Sequence, residues 1–426
     1  MRTPGGGIKL DITPNNSPPA RLFEMTRTMS LHSGAPSGVD RVCLAYLKAL
    51  CAAPEPVFGL VRTALGYVLL DGAGMQDMLL RLEDQKPWGP PDFLSKLMHK
   101  PDRYKHYTEA ELRRLCIDRC RPSGLGRMLR KHLPAGTAYI NVDQNNMSSR
   151  TIAAVKAVPN ARFAPFLHDT IPLDFPEYQT SESADRFGQM LKRIHKHADL
   201  ILCNSRATKD DIIRHMAPMG AVPPIQVAHL GVESNCFQNG DKQEALNLRD
   251  PYFVILGTIE PRKNHTLILD IWEALEAELP EQEMPHLVIF GRRGWMNEDV
   301  FARLDTTRLR GKYLHEFNDL NDDQIQSALR GSAGCLFPSF CEGFGLPPLE
   351  AASLGVPVIC NTLPVFREFL ADIPIYASVT DSYAWKQAIL KLAQQAQARG
   401  ETQLSEHAGF VPPDWQSHFN VVLKVT

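Results

Sequence analysis

Glu342 and Glu350 stand with seven residues between them, and the stretch Gly343-Phe344-Gly345-Leu346-Pro347-Pro348-Leu349 has the make-up of a loop that opens a helix. Pro347 and Pro348 suit a first helical turn, where a missing N–H costs little, and Gly355 suits the helix end. Such a mouth presents unpaired backbone N–H groups to an anion. Glu350 is expected in the first helical turn, facing the same mouth as Glu342. A second cluster, Glu260-Pro261-Arg262-Lys263-Asn264, follows the apolar run at 252–257 and sets two cations side by side where Gly257 ends the strand. A guanidinium can fork onto phosphate oxygens, an ammonium adds a compact charge, and a carboxylate accepts from sugar hydroxyls. Together these groups match a molecule that carries a ribose, a diphosphate and a hexose. Cleaving its glycosidic bond leaves charge on the diphosphate, which Arg262 and Lys263 would stabilise. Taken singly, the cations could be a solvated loop pair and the glutamates a cap and a surface charge. Their convergence at strand C-termini favours a site.

These residues need strands and turns to carry them. Residues 8–12 read as a first strand and 14–19 as a proline-rich insertion. The loop from Ser33 to Arg41 contains Gly34 and Gly38 and opens a helical pattern through Val42, Leu44, Ala45, Leu47 and Leu50. That is again a geometry suited to an anion, although a plain capping turn has the same composition. Residues 57–61 and 67–70 form a hairpin pattern. Short helical patterns broken by Pro and Gly fill 73–133, which reads as a helical insertion. From 137 onward strands at 138–142, 163–167, 200–203 and 225–228 alternate with helices at 150–157, 183–197 and from 207. The strand at 163–167 ends on His168-Asp169. Residues 234–250 read as a polar linker.

A second series has strands at 252–257, 287–291, 313–316, 334–338, 356–360 and 373–376. Asn264 is expected to cap the helix that follows it, and Asn321 with Gln324 forms a capping-box pattern. A helix runs from 381 to about 399, and a closing helix starts at Asp414. Alternating strands and helices imply an α/β fold of two Rossmann-like, doubly wound parallel-sheet domains facing a central cleft. The boundaries read as an N-terminal acceptor-binding domain over 1–238, a nucleotide-sugar-binding domain over 239–410, and a closing helix over 411–426 that returns to the first domain.

At 426 residues the chain is long enough for two full cores, and its formal charge of −2 gives no global pull toward nucleic acid. Nine cysteines without paired spacing suggest reduced thiols in a cytoplasm. Cys116 and Cys120 could share a helix face as half of a metal site, but packing is the expected role because no second pair completes it. No secretory leader and no apolar run of membrane-span length is visible, so a cytoplasmic protein is expected. Between 96 and 132, eleven Lys or Arg face four Asp or Glu, a net of +7. Apolar residues such as Leu112, Leu125 and Leu129 make these helices amphipathic. They form either a solvated basic face or a peripheral contact with the inner face of a membrane.

The Glu-x7-Glu pair with the upstream Glu-Pro-Arg-Lys-Asn resembles the signature of retaining glycosyltransferases of the GT-B fold, family four. Gly38-Val39-Asp40-Arg41, His168-Asp169-Thr170-Ile171-Pro172, Asn204-Ser205, Leu230-Gly231-Val232, the 291–295 turn and the Trp415 helix fall where that family has recurrent elements. The resemblance implies that Arg262 and Lys263 bind the donor diphosphate, that Glu342 touches the sugar near the reacting carbon, and that Glu350 holds the ribose. It further implies that the backbone of Gly343, Phe344, Gly345 and Leu346, with Gly38 and Gly257, lines the donor site. His168 and Asp169 become acceptor-side candidates, with His168 at the reacting centre, although a lone histidine is more often a packed or surface residue.

The implied activity is transfer of a hexose, with mannose leading, from a GDP- or UDP-linked sugar to a glycan or lipid-linked acceptor in surface polysaccharide or lipopolysaccharide assembly. GDP-mannose is the first donor to consider. No Asp-x-Asp element is present, so no metal and no other cofactor is expected. The competing readings are a nucleotide-sugar epimerase and a non-catalytic scaffold of the same fold. A dinucleotide-binding enzyme is weaker, because no Gly-x-Gly-x-x-Gly follows the first strand. The proline within the 33–38 loop and the unplaced 73–133 block leave the acceptor unassigned.

Overall fold

The computed structural model describes residues 17–33, 37–98, 103–232, 251–399 and 410–426; the expected strand at 8–12 and linker at 234–250 lie outside them. Among the described residues, two sheets form. The first contains β1 (Arg21–Glu24), β2 (Val57–Thr63), β3 (Gly66–Leu70), β4 (Asp118–Cys120), β5 (Ala138–Asn141), β6 (Arg162–Leu167), β7 (Ile201–Cys203) and β8 (Ile225–Val227). Their order is β4-β3-β2-β1-β5-β6-β7-β8, parallel except where β3 pairs with β2 and β4. The second contains β9 (Tyr252–Leu256), β10 (His286–Phe290), β11 (Leu314–Phe317), β12 (Gly334–Phe337), β13 (Val358–Cys360) and β14 (Ile375–Tyr376). Its order, β11-β10-β9-β12-β13-β14, is parallel throughout. In such a sheet the chain runs outward in both directions from the central pair, and loops leaving the carboxyl ends of β9 and β12 open a crevice. Those loops are residues 257–264 and 338–345.

The innermost strand of the first sheet escaped the sequence reading. β1 is Arg-Leu-Phe-Glu, and all four residues are buried, the two charged ones included. Arg21 is accommodated by Glu55 at 2.6 Å and by the carbonyl of Leu423 at 2.8 Å. Glu24 is accommodated by donors from Thr26, Tyr139 and Asn146. Burial, followed by the nearby Asp143, raises the Glu24 carboxyl to about 8.

The 73–133 block is not purely helical. β4 lies within it and pairs antiparallel with β3, extending the sheet by one edge strand. Cys116 trails the Arg103–Leu115 helix and Cys120 lies in β4, so the two do not share a helix face. Much of the positive charge is already paired. The Arg113 side chain, only 7% exposed, meets Asp92 and Glu109, and Arg114 meets Glu111. The apolar side of the Leu125–His132 helix is spent on the core through Leu125, Met128 and Leu129. Arg119, Arg121, Arg127 and Arg130 remain at the surface. No helix among the described residues is long and apolar enough to cross a membrane.

The Trp415–Val425 helix packs on the first sheet, its start capped by Asp414 onto the Ser417 N–H. His418, fully buried, bridges the carbonyl of His229 and the hydroxyl of Tyr46, each at 2.9 Å. Arg162 reaches the carbonyl of Thr426 at 2.9 Å. Two crossing segments meet where Val232 donates to the carbonyl of Pro413 at 2.9 Å. Gly231 makes that meeting feasible, since a Cβ there would stand 2.2 Å from the backbone nitrogen of Trp415. Gly231→Ala is therefore expected to destabilise by about 1–3 kcal/mol through overpacking, seen as a lowered thermal midpoint. An unchanged midpoint would show that the crossing yields without strain.

Candidate active site

The 338–345 loop leaves β12 and turns into the Leu346–Ser353 helix through Gly345, whose φ of +93° is readily adopted only by glycine. Pro347 lies in the first turn as its fixed φ allows, and Gly355 follows the helix with φ +73°. The helix begins at Leu346, so Glu350 falls in the second turn rather than the first. Gly257 leaves β9 with φ +131°. Asn264 precedes the His265–Glu278 helix in the left-handed conformation, and its side chain makes no cap, contrary to expectation. Its backbone N–H instead closes the Pro261–Lys263 turn onto the carbonyl of Pro261. The two loops are tied together by the Phe340 N–H donating to the carbonyl of Arg262 at 2.8 Å.

Between these loops, Glu342 sits at the centre of a charged cluster. Arg262 donates to one oxygen at 2.7 Å, while Lys263 at 2.5 Å and Ser339 at 2.8 Å donate to the other. Glu260 takes a second N–H of Arg262 at 2.7 Å, so the guanidinium is fixed between two carboxylates. Burial by itself would raise the Glu342 carboxyl, but Arg262 and Lys263 outweigh it and hold the group at about 2. Burial lowers the Lys263 ammonium against the pull of Glu342, and burial raises Glu260 against the pull of Arg262 and Lys263. Glu342 is thus ionised across the physiological range, and its two cations are preset in position.

Across the cleft, β6 delivers His168 and Asp169. The His168 ring lies 2.7 Å from the carbonyl of Val142 through Nε2, and burial lowers it to about 4. A neutral ring with Nε2–H spent on Val142 leaves the lone pair on Nδ1, which suits accepting a hydrogen bond from a hydroxyl more than taking its proton. Asp169 accepts from the Ile171 N–H at 3.0 Å, and burial raises it while Arg262 pulls it down.

The two walls touch here. A Cβ on Gly343 would lie 2.6 Å from the carbonyl of His168 and 2.9 Å from Cβ of Asp169, so only glycine fits. Thr208 donates to the carbonyl of Gly343 at 3.2 Å. Gly38 starts the Gly38–Ala52 helix under a capping box of Ser37 and Asp40, and a Cβ on it would lie 3.9 Å from Cδ1 of Leu346.

The structure therefore brings Arg262, Lys263 and Glu342 into one cluster, sets Gly343 against His168 and Asp169, and sets Gly38 against Leu346. Phe344 turns inward and packs on Phe369 with ring centres 4.2 Å apart, so only its backbone can face the cleft. Glu350 is partly exposed and reaches across the cleft to Arg41 at 2.6 Å. Sequence reasoning gave no role to Arg41, Glu260, Ser339 or Thr208. Arg41 and Glu260 stood inside motifs already singled out, whereas nothing local marks Ser339 or Thr208. No group of three or more metal-ligating side chains occurs among the described residues.

Comparison with known proteins decides the family of the second domain. Residues 237–403 match the family described as Glycosyl transferases group 1. This part of the chain is a group 1 glycosyl transferase domain. Serotype-specific mannosyltransferase WbdA of Escherichia coli is 29% identical over 230 residues, covering 51% of this chain and 28% of WbdA. O-antigen chain mannosyltransferase B of Escherichia coli is 30% identical over 256 residues, covering 56% of this chain and 65% of that protein. The chain thus spans less than two thirds of either relative. The crystal structure of Anabaena HepE in complex with UDP-glucose aligns over 95% of this chain and 94% of HepE with a TM-score of 0.60 at 14% identity. That likeness covers both sheets, and the fold is the GT-B arrangement of two Rossmann-like domains. The group 1 domain contributes Arg262, Lys263, Glu342 and Glu350, and the partner domain contributes Gly38, Arg41, His168 and Asp169.

Glu342 binds fewer protons folded than unfolded, so its contribution to stability is complete above its ordinary value of 4.5 and fades as pH falls toward about 2. The stability gap between wild type and Glu342→Gln, from urea unfolding, is expected to shift over that acid window and to stay constant above it. A gap independent of pH down to about 2 would contradict an ionised Glu342 held by Arg262 and Lys263.

Proposed function

We propose that this protein transfers a hexose, with retention of configuration and without a metal ion, from a nucleotide diphosphate sugar to a glycan or lipid-linked acceptor. The observation that carries this reading is the preset Arg262–Lys263–Glu342 cluster at the central crevice of the second sheet, set against His168 and Asp169 of the first domain. Arg262 and Lys263 neutralise the diphosphate as the bond from the anomeric carbon to its oxygen breaks. Glu342 holds both cations and lies beside the sugar, while Glu350, steadied by Arg41, accepts from the ribose hydroxyls. The acceptor oxygen bonds to the anomeric carbon on the face the diphosphate leaves, and its proton passes to the departing phosphate oxygen. This route asks for no strong protein base, in keeping with a His168 ring lowered to about 4.

The names of WbdA and mannosyltransferase B support mannose as the sugar, GDP-mannose as the first donor to test, and assembly of a surface polysaccharide as the setting. The HepE complex keeps UDP-glucose in the screen. We place the protein in the cytoplasm, with peripheral membrane contact made by charge alone. The apolar side of the Leu125–His132 helix is already buried and has nothing to insert.

Incubation of the purified protein with GDP-mannose or UDP-hexoses, with and without a glycan acceptor, tests the reading. Arg262→Ala and Lys263→Ala are each expected to lower kcat/KM by about a hundred- to a thousandfold, as when one preset transition-state donor is removed. An epimer formed without acceptor, or full activity of both variants, would overturn it. Sedimentation with anionic vesicles is expected to weaken when Arg119, Arg121, Arg127 and Arg130 are neutralised, at about 1 kcal/mol per residue. Equal sedimentation would remove these residues from membrane contact.

A further inference from the structure

A second carboxylate joins the two domains away from the Glu342 cluster. Glu368 lies on the Pro364–Leu370 helix, which follows β13 in the group 1 domain. Its two oxygens accept from the backbone N–H of Arg206 at 2.8 and 2.9 Å, and one also accepts from Ala207 at 3.2 Å. Its other oxygen lies 3.0 Å from Nε2 of His229. The two N–H groups are the first of the Arg206–Met216 helix in the other domain, which have no partner within their own helix. A carboxylate there also meets the positive end of the helix dipole.

The gripped turn leads to the candidate active site. Ser205 caps it through the Thr208 N–H at 3.0 Å and donates to the Thr208 hydroxyl at 2.9 Å. That hydroxyl faces the carbonyls of Gly343 at 3.2 Å and His168 at 3.4 Å. Asn204, one residue before the cap, donates to the same His168 carbonyl at 2.8 Å. On the other side, Phe369 packs edge-on against His229 with ring centres 4.9 Å apart and against Phe344 at 4.2 Å. Glu368 and Phe369 therefore link one turn of the first domain to both the 341–346 loop and the strand end that carries His168.

We propose that Glu368 is a positioning residue: by clasping the first turn of the Arg206–Met216 helix it holds Thr208 on Gly343 and so sets the register of the two cleft walls. Its effect on turnover rests on the transfer reading given above; its effect on the walls does not.

Hydrogen–deuterium exchange of the ligand-free protein tests the clasp directly. Glu368→Ala is expected to speed exchange at 206–208 and also at 341–346, by about tenfold or more, through local opening. Glu368→Gln keeps one acceptor oxygen and is expected to restore part of the protection. In steady-state transfer, Glu368→Ala should lower kcat with little change in donor KM. The double variant Glu368→Ala with Thr208→Val should be no slower than the slower single variant, because both cut one linkage. Unchanged exchange at 341–346 in Glu368→Ala, or strictly additive losses in the double variant, would overturn the proposal. If Glu368→Ala does not fold, Glu368→Gln and Thr208→Val carry the same comparison. A wild type that binds neither UDP nor GDP in a thermal-shift assay would count against the transfer reading and leave the exchange test intact.

Discussion

One carboxylate, withdrawn from water between a guanidinium and an ammonium, sets the terms for the rest of this molecule. Glu342 can remain ionised at 9% side-chain exposure only because Arg262 and Lys263 are held on it. Those two cations tolerate burial only because Glu342 and Glu260 answer them. None of the four could be removed without leaving a buried charge uncompensated. That mutual dependence fixes the geometry of two loops, 257–264 and 338–345, that are distant in sequence and meet at the mouth of the second sheet. The Arg262 carbonyl holding the Phe340 N–H locks the same pair of loops through the backbone.

The electrostatic balance also bears on how a diphosphate would be received. Arg262 and Lys263 already have partners, so an incoming anion must share them rather than find them bare. The positive charge is preset and needs little reorganisation, which is the condition under which fixed groups stabilise developing charge best. Across the cleft the groups are of a different kind. His168 is neutral and tied to a carbonyl, and Asp169 is raised by burial. Strong fixed charge lies on one wall, and a less charged, hydrogen-bonding surface lies on the other.

Much of this was legible in the sequence, because the second domain is built from apolar strands that alternate regularly with helices. Asn321 with Gln324 forms its expected capping box, and the strands at 252–257, 334–338 and 356–360 appear within a residue or two. What escaped notice shares a cause. β1 hides because, apart from Thr26 beside Glu24, its two charged ends are compensated by residues 34 and 115 or more positions away and by the carbonyl of Leu423. The type of Asn264 suggests a cap, but its left-handed backbone leaves the side chain without a capping hydrogen bond. Glu350 was placed one turn early because two prolines blur where a helix begins. Arg41, Thr208 and Glu368 each have a partner in the other domain, and no local pattern reports such a partner.

The meeting of Val232 with Pro413 has a mechanical meaning. Val232, at the end of the first domain, and Pro413, just ahead of the closing helix, are bound to each other by a hydrogen bond beside Gly231 and Trp415. The point where the chain leaves the first domain and the point where it rejoins it are therefore one place, so a pull on either end is borne by both.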